Sequence, residues 1–245
     1  MRFVSAAAQR FRGSGSHRPN GRVKISEIFY SLQGEGGLVG MPSIFIRTSG
    51  CNLRCSWCDT PYTSWNPEGE DMTIDAILAK VRKYPASYAV VTGGEPMIAP
   101  GIGELTARLK RAGLHVTIET AGTVWADVEC DLLSISPKLS NSTPEGIFAT
   151  QHERLRIQPD VLSRLISAHE YQLKFVVAER GDLDEIRALI KALSAPKRNV
   201  ILMPEGVTID VLRERTTWVA EICKTEGFRF TPRLHIELYG NKRGV

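Results

Sequence analysis

Three cysteines stand within the short stretch "CNLRCSWCD", at Cys51, Cys55 and Cys58, with no fourth cysteine and no histidine close behind. Thiolates at that density suit a metal. Structural zinc closes a tetrahedron with four protein ligands, which here would have to recruit His115 or Cys130 from far along the chain. A cubane [4Fe-4S] cluster takes one thiolate per iron, so three cysteines leave one iron open to chelate a small molecule. A reactive-thiol loop is a third reading of the same residues. A second stretch, "TGGEP" from Thr92 to Pro96, joins two glycines that admit close backbone approach to a carboxylate, Glu95, that favours an ammonium group.

The rest of the chain must hold these groups in place. Its 245 residues are enough for one large α/β domain, and an ordinary α/β barrel would use nearly all of them. A composition of 42% hydrophobic and 24% charged residues is that of a soluble globular protein. No apolar run approaches the roughly 20 residues of a membrane span, so a membrane protein is not expected. The net charge of +4 is mild and its basic residues are scattered, which does not call for nucleic acid but suits an anionic small substrate. Five cysteines, two of them isolated (Cys130 and Cys223) in apolar surroundings, make no even disulfide framework; a reducing, cytoplasmic compartment fits, and the two isolated ones read as small buried hydrophobes. Residues 1–22 lack acidic side chains and carry Gly, Ser and Arg, which reads as a flexible extension ahead of a domain spanning 23–245; an organelle-type presequence is the alternative, and a secretory signal lacks its apolar stretch.

From residue 23 onward short β-rich runs alternate with helical patterns. Strands are expected at 43–48, 88–92, 115–120, 132–136, 171–177 and 200–203, with 23–29 leading in. Ile74, Ile77, Leu78 and Val81 follow Thr73 as N-cap, and Ile102, Leu105 and Leu109 run toward Gly113. Asp182 and Glu185 read as a capping box, and Thr208 opens a last helix bearing Ile209, Leu212, Val219 and Ile222. Residues 138–154 show no period and read as an irregular loop. This alternation argues a parallel sheet with right-handed crossovers, doubly wound or curled into a barrel, in which function collects at the carboxyl ends of the strands. "SGC", "TGGEP", "ETAGT", "SPK" and "MPEG" all fall at such ends. Each alone is a turn; five on one rim form a site.

The spacing Cys-x3-Cys-x2-Cys after the first of these strands, with the Gly-Gly-Glu-Pro stretch after the second, resembles the radical S-adenosylmethionine (SAM) superfamily. "EIFYSLQGEGGLVGMPSIFIRTSGCNLRCSWCDT", "VTGGEP", "IETAGT", "ISPK" and the final "LYGNKRGV" together are similar to the 7-carboxy-7-deazaguanine synthase family, from about residue 23 to residue 245. That resemblance implies a partial, TIM-like barrel of about six parallel strands. It implies radical ring contraction of 6-carboxy-5,6,7,8-tetrahydropterin to 7-carboxy-7-deazaguanine and ammonia, in routes to queuosine and other 7-deazapurines. The implied cofactors are a [4Fe-4S] cluster, SAM and Mg2+. The implied partners are the pterin, an external electron donor of flavodoxin or ferredoxin type and a second copy of the chain, with neither nucleic acid nor membrane.

Carried over position by position, Cys51, Cys55 and Cys58 would hold the cluster. Trp57, Cys58, Asp59, Gly94, Glu95, Ser136, Pro137, Lys138, Met203, Pro204, Glu205 and Gly206 would lie against SAM, and Thr60 would give a hydroxyl to Mg2+, which favours hard oxygen ligands. Leu32, Gln33, Gly34, Arg47, Thr92 and Val245, as a C-terminal carboxylate, would contact substrate. The guanidinium of Arg47 can take a carboxylate in bidentate fashion, or else pair with an acid of the rim. Glu35 and Glu119 suit amino groups of the substrate or the SAM ribose, and His235, read as a strand residue, either faces the substrate or bonds to backbone. Met203 departs from the glutamine common in the family, which removes a side-chain hydrogen bond to SAM there. A glycyl-radical activating enzyme and a non-enzymatic zinc-binding module are the competing readings.

Overall fold

The computed structural model describes residues 21–245. One nine-stranded sheet runs through it. Strand β1 (Arg22–Leu32) pairs antiparallel with β2 (Pro42–Thr48) on one side and with β3 (Glu70–Thr73) on the other. From β2 onward every pairing is parallel, through β4 (Tyr88–Gly93), β5 (His115–Thr120), β6 (Leu132–Ile135), β7 (Tyr171–Val177), β8 (Val200–Pro204) and the two-residue β9 (Arg229–Phe230). Strands β2, β4, β5, β6, β7 and β8 are the six expected parallel strands. They form a partial barrel, left open because β3 and β9 are the two edges of the sheet.

Period-two alternation gives each strand two jobs. Ile44, Ile46, Val91, Val116, Ile118, Leu133, Ile135, Leu173, Phe175, Val177, Val200 and Leu202 face one way and pack in the main core. Arg47, Thr92, Glu119, Lys174 and Met203 alternate with them and line the interior. The core is completed by helices α2 (Ile74–Val81), α3 (Ile102–Arg111), α5 (Pro159–Ala168), α6 (Asp182–Ala192) and α7 (Ile209–Glu226), whose buried stripes join it through residues such as Ile77, Leu105, Leu162, Ile186 and Val219. Thr73 caps α2 as its position predicts, accepting from the Ala76 N–H at 3.2 Å.

Three local expectations are corrected. Helix α4 (Ala149–Arg156) occupies the end of the stretch read as loop; it buries only His152, so no apolar period announces it. Ahead of it, 138–148 is irregular, apart from 3-10 turns at Ser140–Ser142 and Gly146–Phe148. Asp182 and Glu185 form no capping box. Asp182 instead turns back to accept the N–H groups of Ala178 and Glu179 at 2.7 and 3.0 Å, and Glu185 pairs with Arg156. His235 lies in a short helix, α8 (Leu234–Tyr239), and not in a strand. Of the expected N-terminal extension, residues 1–20 lie outside the described residues, while Arg22 already pairs with Thr73 in the sheet.

Candidate active site

A cavity of about 450 Å3 opens at the carboxyl ends of the parallel strands, and most residues singled out from the sequence meet there. Cys51, Cys55, Trp57, Cys58, Asp59 and Thr60 arrive on the loop after β2, which ends in the short helix α1 (Pro61–Ser64). Leu32, Gln33 and Gly34 come from the end of β1, Arg47 from β2, Thr92 and Gly94 from β4, Ser136 and Lys138 from β6, and Met203 and Glu205 from β8. Val245 and the four residues before it line the same space. Pro137, Pro204 and Gly206 are buried and outside the lining, although their chain neighbours face it.

Glu95 is also outside it. Its side chain is fully buried, and its carboxylate accepts from the Met97 N–H at 3.0 Å, the Thr120 hydroxyl at 2.7 Å and the Ala121 N–H at 2.8 Å. Burial raises its pKa against those hydrogen bonds. These bonds make Glu95 a brace between the ends of β4 and β5. Gly94 is explained by the protein's own backbone: a Cβ there would sit 2.2 Å from the Gly50 carbonyl oxygen, so only glycine lets the end of β4 press against the cysteine loop.

The three cysteines line the cavity and pack in one cluster with Leu53 and Ala121, and among the described residues no three His, Cys, Asp or Glu side chains form a ready-made metal group. Neither His115 nor Cys130, the residues a zinc site was expected to recruit, lines this cavity. All five cysteines are free thiols. Burial pushes Cys51 up to about 12 and Cys55 up to about 11, so both are protonated until a metal displaces the proton. Cys223 lies in the main core and Cys130 packs against it, as small buried hydrophobes do. The Thr60 hydroxyl lies 3.4 Å from that of Thr63 and 3.9 Å from the Cys58 sulfur, an oxygen beside the thiols.

Deeper in, charged side chains form a buried network that the sequence reading largely missed. Glu35 is held by Lys174 and by Arg233 Nε at 3.1 Å. Arg233 also donates to the Gly206 carbonyl at 2.7 Å and to the Asp59 carboxylate. Burial alone would raise the pKa of Glu35, but Lys174, Arg233 and His235 outweigh it and hold the carboxyl well below its usual range. Asp59 is likewise held low against burial, chiefly by Arg233. Glu119 accepts from the Gln33 amide at 3.1 Å and from the Thr92 hydroxyl at 2.8 Å, so one carboxylate orients two of the expected substrate contacts. A lysine in the middle of the apolar run "YQLKFVV" was the available signal for Lys174. Arg233 had none.

At the mouth, Arg47 pairs with Glu27, its neighbour across the β1–β2 ladder, through Nε at 2.6 Å. The rim pairing weighed for Arg47 is thus present, and it uses one edge of the guanidinium. Glu27 also accepts from Tyr62 Oη at 2.8 Å, and Arg243 of the tail stacks 4.1 Å from the centre of the Tyr62 ring. Among the described residues no helix is long and apolar enough to cross a membrane.

Residues 45–143 match the model of the radical SAM superfamily. The chain is 46% identical over 226 residues to the 7-carboxy-7-deazaguanine synthase of Rhodopirellula baltica, across 90% of this chain and 88% of that one. It is 42% identical over 253 residues to the 7-carboxy-7-deazaguanine synthase of Halobacterium salinarum, across 97% and 98%. Its fold is similar to the crystal structure of QueE from Escherichia coli, with a TM-score of 0.66 and 27% identity over 87% of this chain and 95% of that one.

Proposed function

Because the chain belongs to the 7-carboxy-7-deazaguanine synthase family of the radical SAM superfamily, we propose that it converts 6-carboxy-5,6,7,8-tetrahydropterin to 7-carboxy-7-deazaguanine and ammonia, as a carbon–nitrogen lyase in 7-deazapurine and queuosine biosynthesis. The observation that carries the reading is that three cysteines, Gln33 to Glu35 of the QGEG turn and Ser136 and Lys138 of the SPK stretch line one cavity of about 450 Å3. When bound, an iron–sulfur cluster with SAM supplies the electron and the hydrogen-abstracting radical of this superfamily.

The side chains divide the remaining work. Cys51, Cys55 and Cys58 hold the cluster, and Trp57, Asp59, Gly94, Ser136, Lys138, Met203 and Glu205 form the walls against SAM. Lys138 lies 5.6 Å from the Trp57 ring centre and 2.8 Å from the Ser136 hydroxyl, a basic and aromatic corner suited to the adenosine end. Glu95 acts behind this wall, as a brace. Thr60 would offer its hydroxyl, a hard oxygen of the kind Mg2+ prefers, to that ion. Gln33, Gly34 and Thr92, oriented by Glu119, meet the donors and acceptors of the pterin edge, with Leu32 and Val245 beside them. The free edge of Arg47 takes the substrate carboxylate. The tail covers the mouth and keeps water from the reacting centre. A flavodoxin- or ferredoxin-type protein supplies the electron, and two copies of the chain associate.

The test is anaerobic incubation of the reconstituted protein with SAM, Mg2+, reductant and 6-carboxytetrahydropterin. The expected result is a deazaguanine product of the right mass, formed with loss of ammonia. An iron-loaded protein that cleaves SAM yet leaves the pterin unchanged would overturn the substrate assignment.

A further inference from the structure

The cysteine loop is held from behind by a segment to which the proposed reaction assigns no task. Cys51 faces a second, smaller cavity of about 70 Å3, whose wall includes Arg54, Phe148 and His152. His152, the one buried residue of α4, is 1% exposed. Its Nδ1 lies 3.2 Å from the backbone nitrogen of Arg54, and its Nε2 lies 2.9 Å from the Ser142 hydroxyl oxygen. The Ser142 hydroxyl is already a donor, to the Leu139 carbonyl at 2.6 Å. With its single proton used, Ser142 can only accept from the imidazole. The ring therefore carries its proton on Nε2 and presents a bare Nδ1 to the Arg54 N–H. The opposite tautomer would set one N–H against another.

The same segment takes the two neighbouring donors of the loop. Ser56 N–H reaches the Ser142 carbonyl at 2.9 Å, and the Trp57 indole reaches the Asn141 carbonyl at 3.0 Å. Arg54 and Ser56 flank Cys55, so its backbone is pinned on both sides from 142–152. The spacing of three thiols on a loop is set by that backbone, and a loop freed at one of these points can let a thiol swing off its iron.

We propose that His152 is a positioning residue for the metal-binding loop, holding the backbone between Cys51 and Cys55 in the shape that receives the cluster. This rests on the cluster reading given above and adds a residue outside the cysteine motif. The ring bonds to backbone and to Ser142 rather than to any cysteine, so its influence shows in how firmly iron is kept.

The experiment compares wild type with His152→Leu, His152→Asn and Ser142→Ala, each reconstituted anaerobically with iron and sulfide. The readouts are the half-life of the visible cluster absorbance under an iron chelator and the melting temperature of each iron-free protein. The expected result is cluster loss about tenfold faster in His152→Leu and about threefold faster in Ser142→Ala, the scale of one lost hydrogen bond, with iron-free melting within about 5 °C of wild type. His152→Asn, whose amide oxygen can take the place of Nδ1, recovers most of the half-life. Wild-type half-lives in both His152→Leu and Ser142→Ala would overturn the proposal, as would an asparagine variant no better than leucine. Should His152→Leu fail to fold, Ser142→Ala and His152→Asn decide by the same criterion. A wild-type protein that takes up no iron defeats the cluster reading itself and this inference with it, a result separate from any difference among the variants.

Discussion

At the scale of single residues, Arg233 ties three chemically distinct parts of the site together. Its guanidinium reaches Glu35 of the QGEG turn, Asp59 beside the last cysteine and the Gly206 carbonyl after β8, from a position 5% exposed. The planar fork matters here, because a lysine ammonium has neither the reach nor the fixed geometry for three partners in three directions. Removing it takes from Glu35, whose side chain is only 14% exposed, one of its two cations, and such a loss costs more than the intact pair contributes. Arg233→Met should lower unfolding free energy by about 3 kcal/mol. Chemical denaturation of the iron-free protein measures this, and a variant as stable as wild type would show that the network is structurally idle.

At the scale of elements, the site depends on how closely the end of β4 meets the cysteine loop. The Glu95 N–H donates to the Gly50 carbonyl at 2.9 Å, and Gly94 passes the same carbonyl with no room for a side chain. Gly94→Ala must push the loop and the strand apart. An overpacking cost of about 2 to 3 kcal/mol follows, together with poorer iron uptake, because the displaced loop carries all three thiols. Iron content after reconstitution and the denaturation midpoint should fall together; normal iron content in a destabilised variant would mean that the loop moves without disturbing its cysteines. The elements themselves were mostly legible. Alternation revealed the six parallel strands, and apolar spacing after Thr73 revealed α2. Helix α4 escaped because its sequence, "ATQHERLR", buries one polar residue and so has no stripe to detect.

At the scale of the whole molecule, the tail joins the wall of the cavity through contacts that span the widest separation in sequence. Arg243 lies on the Tyr62 ring and reaches Glu68 at 2.9 Å and Glu27 at 3.4 Å. Arg243 and Glu68 are substantially exposed, so the latch is weak by design of its surroundings: each contact contributes about 0.5 to 1 kcal/mol. Arg243→Ala should therefore raise the KM for the pterin about three- to tenfold, leaving iron content and SAM affinity unchanged. Steady-state kinetics separates the outcomes, and an unchanged KM would mean that the tail closes the cavity without this residue.

The sequence by itself determined which residue types stand at the strand ends, because a parallel sheet built from alternating strands and helices must bring those ends to one rim whatever its details. The three cysteines and the glycine pair were identifiable on that basis, whereas the QGEG turn, which follows the antiparallel β1, stood out only through the family resemblance. Only the tertiary structure decided which of them face the cavity. It turned Glu95 inward, where three donors satisfy a carboxylate that looked free, and it paired Arg47 with the acid opposite it in the ladder. It also added Lys174, Arg233 and His152, whose partners lie 139, 174 and 98 residues away. Hydrogen bonds of that span carry no local pattern in the chain. They exist only once the sheet has curled and brought distant carboxylates, carbonyls and N–H groups within about 3 Å of their partners.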